Sequence, residues 1–161
     1  MTGGPGFAKA RLMSNVSSYE QDFYAWAVEQ AALLRDGRLS EVDFENIAEE
    51  LDSLGRSEKR ELVSRLKVLL MHLLKWNAQP VFRGTSWRLT IEEQRRELHG
   101  LLRDNPSFRR LLPEAVIDAY GGAIISAARE TGNKKQSFPA LCPFSLDQIL
   151  DDAFTPGDEL E

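Results

Sequence analysis

The chain has 161 residues, of which 42% are hydrophobic and 28% charged. Those proportions belong to ordinary globular proteins, so neither disorder nor membrane residence is suggested. No apolar run approaches the ~18 residues of a membrane-spanning helix. The single cysteine, Cys142, rules out an internal disulfide and a cysteine-based zinc cluster.

A net charge of −5 hides an uneven distribution. Between Gly55 and Arg110 there are thirteen Lys/Arg against six Asp/Glu, a local balance of +7; the remainder of the chain stands at −12. One reading is that opposite charges meet within the fold or across a dimer. The other is a basic surface for an acidic partner or a nucleic acid. A pI near 5.2 weighs against the nucleic acid.

Residues 1–17 lack periodicity and are expected to form a flexible tail. The start lacks the basic and apolar regions of a signal peptide, so a cytoplasmic protein is expected. A first helix should begin at Ser18, with Gln21 as its capping-box partner. Tyr19, Phe23, Trp26, Ala27, Gln30, Ala31 and Leu34 line one face of it. Asp36-Gly37 should stop it, because glycine enters the left-handed region without a Cβ penalty.

Phe44 to Gln79 organises the rest. Phe44, Ile47, Ala48, Leu51, Leu54, Leu62, Leu66, Leu69, Leu73 and Trp76 recur at helical steps on one face. Past Leu62 the stripe widens, because Val63, Leu70 and Leu74 add a second apolar flank. The first half therefore reads as half-solvated and the second as packed on two sides. Ser40 or Asp43 should cap this helix, and Pro80 should end it. Two alternatives stay open: a continuous, kinked helix or a break at Gly55.

A third helix is expected with Thr90 and Glu93 as its capping box and Trp87, Ile91, Leu98, Leu101 and Leu102 inside. Asp104-Asn105-Pro106 ends it, and Ser107 to Leu112 forms a short turn. Pro113 then suits the first turn of a fourth helix, with Gly121-Gly122 permitting a close approach and Thr131-Gly132-Asn133 as its stop. An extended connector, Lys134 to Phe144, leads to a last short helix capped by Ser145 with Gln148. No alternating strand pattern occurs. The expected fold is all-α: a helical bundle of about five helices around a long central one, in a single domain over residues 18–154, with a flexible tail at 155–161.

Asp22 to Trp26, Asn46 to Arg56, Leu69 to Trp76, Ser86-Trp87 with Gln94-Arg95, and Phe138-Pro139 with Cys142-Pro143 together resemble a bacterial family, domain of unknown function family 29. The resemblance implies a small all-helical protein. It implies no activity and carries no catalytic residue.

Glu49 and Glu50 are adjacent and point ~100° apart, whereas Glu45 and Glu49 share a helix face with Asp52 nearby. A solvated acidic face is the plain reading, and a hard-cation site is the sharper one. An antiparallel helical hairpin would bring His72 towards His99, with Glu93 close by, in a zinc-type set that matches no established spacing motif. Cys142 has no neighbouring histidine in sequence. No phosphate loop, nucleophile elbow or dinucleotide fingerprint occurs, and no cofactor is expected. The first function class is thus a non-enzymatic module that associates with itself or another protein. Nucleic-acid binding through the basic 55–110 region and a metal-dependent enzyme using His72 and His99 are the alternatives. The candidate partner surface is Glu45, Glu49 and Glu50 with Arg56, Lys59 and Arg60. Two central helices, antiparallel about a two-fold axis near Gly55, would set acidic halves on basic ones, the apolar stripe supplying most of the affinity.

Overall fold

The computed structural model describes residues 19–157. Regular structure among them is helical: α1 (Phe23–Arg35), α2 (Phe44–Ala78), α3 (Thr85–Asp104), α4 (Phe108–Thr131) and α5 (Leu146–Leu150). Short 3-10 turns occur at Leu39–Glu41, Pro80–Phe82 and Lys135–Ser137. The chain is an all-α protein with a long central helix, as its periodicity predicts. That helix, α2, is continuous over 35 residues, roughly 52 Å at 1.5 Å per residue. Gly55 does not break it, and a glycine at such a position costs only ~1 kcal/mol against alanine. The chain clusters into two compact units that divide at Gly55–Arg56.

In the first unit, Asp22 caps α1 by accepting from the Ala25 amide at 3.0 Å. The expected cap, Ser18, lies outside the described residues. Asp36-Gly37 stops α1 as predicted, with Gly37 at φ 70. The Gly37 amide donates to Leu34 and the Arg38 amide to Leu33, the paired closure of a Schellman motif. Of the two caps proposed for α2, Asp43 is the one used, accepting from the Asn46 amide at 3.3 Å. Asp43 also ties the helices together. Its Oδ2 accepts from Trp26 Nε1 at 3.2 Å, and its amide donates to Gln30 Oε1 at 2.8 Å. Trp26, Gln30 and Leu33 are the buried residues of α1.

The second unit holds the main core. Leu62, Leu66, Leu69, Leu70, Leu73, Leu74 and Trp76 of α2 are buried with Ile91, Leu98 and Leu102 of α3 and the inner face of α4. Burial on α2 begins at Leu62, so the contrast between a solvated first half and a packed second half holds. A stretch of α4 is apolar and long enough to cross a membrane on length and composition alone. Its Ala115, Val116, Ala119, Ala123, Ile124 and Ala127 are buried in this core.

Besides α1, which begins at Phe23, two helix starts differ from expectation. α3 begins at Thr85 with Gly84 as N-cap, which offers no side-chain signal to read. Thr90 lies inside the helix, donating to the Ser86 carbonyl at 3.0 Å. α4 begins at Phe108, which leaves Pro113 inside the helix. An interior proline costs ~3 kcal/mol. Burying Phe108 and Leu112 on the face of Ala115 and Ala119 returns ~1.5–3 kcal/mol for each large side chain, so continuity wins. Gly132 stops α4 at φ 72, as predicted.

The connector after α4 includes a 3-10 turn and buries Phe138 and Phe144. The Ser145–Gln148 capping box on α5 forms in both directions. Arg95 of α3 then fastens this C-terminal segment: its guanidinium, 1% exposed, donates to the carbonyls of Ile149 at 2.9 Å, Phe154 at 2.8 Å and Gln148 at 3.1 Å. Residues 155–157, expected to open a tail, include a buried Pro156 whose carbonyl accepts from Arg83 at 3.3 Å.

Leu69→Ala and Leu73→Ala should each destabilise the fold by ~2–5 kcal/mol, because both side chains are fully buried. Leu51→Ala should cost far less, since Leu51 is 64% exposed. Equal losses at Leu51 and Leu69 in chemical denaturation would contradict this burial pattern. Arg95→Lys should cost ~2–4 kcal/mol, because the donors of a compact ammonium radiate from one nitrogen and do not span three carbonyls placed for Nε, Nη1 and Nη2, so buried acceptors are stranded. Limited proteolysis should then cut after Phe144; unchanged stability and cleavage would refute the fastening role.

Candidate interaction surface

The basic window sorts into two populations. The first is structural. Arg95 is spent on carbonyls, as above. Lys75 is buried, pairs with Glu130 and sits 4.5 Å from the Trp87 ring centroid. Arg83 donates to the Trp76 carbonyl at 2.8 Å and lies over the Trp76 ring, as does Arg88. Trp76 and Trp87 are therefore covered by the window's own cations, the first buried and the second half-buried, which leaves them poor platforms for stacking bases; Phe82 is exposed.

The second population lines an open groove of about 540 Å³ between α2 and α4: Arg56, Lys59, Arg60, Val63, Ser64 and Lys67, with Asp118 opposite. Steps of three and four residues along α2 put these cations on neighbouring faces of one helix. On α4, Glu114, Asp118 and Gly122 follow at four-residue steps and form the far wall. Lys59 Nζ reaches Glu114 Oε1 at 3.1 Å. A Cβ added at Gly122 would sit 3.2 Å from Cδ and Cε of Lys67, so this glycine lets the Lys67 stem lie against α4. Arg60 and Lys67 have no ion pair among the described residues. Sequence reading had Arg56, Lys59 and Arg60 but missed Val63, Ser64 and Asp118 as parts of one site. The four-residue steps on α4 were visible; which of its faces meets α2 was not.

The acidic candidates separate. Glu50 accepts from the Tyr19 hydroxyl at 2.6 Å, and that hydrogen bond, with the carboxylate charge, holds the phenol above its ordinary pKa. Glu45 and Glu49 lie exposed on the same side of α2, as their four-residue spacing requires.

The histidines are placed apart in role. His72 is buried and its Nδ1 donates to the Val68 carbonyl at 2.8 Å. His99 is exposed and faces Asp152 at 3.3 Å. Among the described residues no group of three or more His, Cys, Asp or Glu side chains is arranged to hold a metal, and Glu93 is exposed. Cys142 is half-buried, with its thiol on the Phe144 carbonyl at 3.6 Å. Burial pushes that thiol up, against the thiolate a nucleophile needs. Tyr120, donating to the Pro139 carbonyl at 2.7 Å, is pushed up by burial to about 12.

Burial lowers the pKa of His72, outweighing the Val68 hydrogen bond. In the unfolded chain the imidazole takes its proton at the ordinary value of 6.5. As pH falls through that value the unfolded state binds a proton the folded state refuses, and stability drops. His72→Gln should therefore show a smaller stability loss than the parent chain between about pH 7.5 and pH 5.5. Identical pH dependence in urea denaturation would remove His72 from this role.

Residues 18–155 match the family model described as "Domain of unknown function DUF29". No significant match was found among curated proteins, nor among solved structures. With nearly the whole folded chain matched, the protein belongs to domain of unknown function family DUF29.

Proposed function

We propose that this protein is a non-enzymatic interaction module that self-associates as a homodimer through the first half of α2. One observation carries the reading: α2 runs as a single helix for 35 residues, yet its buried residues begin only at Leu62. The preceding turns carry Phe44, Leu51 and Leu54, each more than half exposed, together with a dense acidic face. A solvated helix half that carries a segregated acidic face can meet the basic turns that follow it in a second copy. A cytoplasmic setting belongs to the same reading, in keeping with a lone thiol. At low salt and hundreds of micromolar protein, sedimentation equilibrium should give twice the 18.2 kDa chain mass. A monomer under all conditions sinks the reading.

A second reading, nucleic-acid binding through the basic 55–110 region, is favoured by Arg60 and Lys67, which have no ion pair among the described residues. It requires a salt-dependent mobility shift with duplex or single-stranded oligonucleotides.

A further inference from the structure

On α2, Glu45, Glu49, Asp52, Arg56, Lys59 and Val63 follow one another at alternating steps of four and three. Such spacing is a seven-residue repeat and brings all six onto one strip of the helix. The strip is segregated by charge: three carboxylates, then two cations, then an apolar residue in the floor of the groove. All six are exposed except Lys59 and Val63, which are half-buried.

We propose that the groove receives the acidic strip of α2 from a second copy of this chain, antiparallel, about a two-fold axis passing α2 at Leu54. This assignment rests on the self-association proposed above. In that register Asp52 comes opposite Arg56, and Glu49 comes opposite Lys59, which it would share with Glu114 of the α4 wall. Glu45 comes opposite Val63, with Arg60 one turn to one side and Lys67 one turn to the other. The two-fold axis repeats every pairing, which is the self-complementarity an isologous interface needs. A parallel pair would set carboxylate on carboxylate and cation on cation, so charge selects the antiparallel arrangement.

The apolar stripe is not the seam. Its second half, Leu62, Leu66 and Leu69, is fully buried in the chain's own core, so no partner helix can follow it there. At 3.6 residues per turn, Leu51 lies roughly 120° and Leu54 roughly 180° round the helix from the strip. The association is therefore governed by ion pairs at a wetted surface. Each such pair is weak and screened by salt, so the complex should be salt-sensitive.

Charge exchange tests this in sedimentation velocity at about 0.05 M and 0.5 M salt. The parent chain should dimerise at low salt and dissociate at high salt. Glu49→Lys and Lys59→Glu should each weaken dimerisation about tenfold, since two pairings per dimer turn repulsive. The double variant Glu49→Lys/Lys59→Glu, and an equimolar mixture of the two single variants, should recover it. Recovery also shows that the single variants fold. A dimer indifferent to these exchanges, or one abolished only by Leu51→Asp, overturns this register and leaves self-association standing. A parent chain that is monomeric overturns both. If the parent chain is monomeric at low salt and Lys59→Glu abolishes oligonucleotide binding, the groove belongs to nucleic acid and the proposal fails.

Discussion

From Leu69 to Trp76 every residue of α2 is buried, and that constraint shapes the second unit. A helix buried on all sides must be covered on all sides, which is why α3, α4 and the C-terminal segment gather round it. Two of those buried residues are polar, and each is answered locally. His72 hands its Nδ1 proton to the carbonyl one turn back. Lys75 pairs with Glu130 at one side and lies against Trp87 at the other. Removing either partner leaves a buried polar group without compensation, which is costlier than never having had the pair. Trp76 Nε1 and Gln94 Oε1 are buried with no hydrogen-bond partner among the described residues.

Much of this fold is legible in the sequence because it rests on local rules. The Asp36-Gly37 stop, the Ser145–Gln148 box and the widening stripe of α2 each need only nearby residues. The misses share a different cause. Gly84 caps α3 without a side chain, and α4 runs through Pro113 because Phe108 and Leu112 find the core. Both depend on tertiary packing that overrides local preference. Arg95 is the clearest case: its neighbours in sequence mark an exposed basic stretch, yet it is buried and serves three carbonyls more than fifty residues away. Only the arrival of α5 makes that position an anchor.

The candidate surface was legible by half. Arg56, Lys59 and Arg60 share faces of α2 by spacing alone, whereas the α4 wall with Asp118 is a product of packing. Counting charges along the chain overstated the basic surface. Arg95, Lys75, Arg83 and Arg88 are occupied with carbonyls, a carboxylate and two indoles. Of the groove's cations, Arg60 and Lys67 have no ion pair among the described residues, and the groove is flanked by acid on its own helix.

Continuity gives that arrangement its consequence. Helices are held by packing of one face more than by propensity, and the solvated half of α2 has few buried residues of its own to hold it. Asp43 closes its far end against Trp26 and Gln30. A partner docking on such a segment meets a surface already ordered, so little conformational entropy is lost on association. A break at Gly55 would have removed this advantage and let acidic and basic halves satisfy one another within one chain. In the proposed dimer, a second copy of α2 brings acidic turns to basic ones at matching spacing.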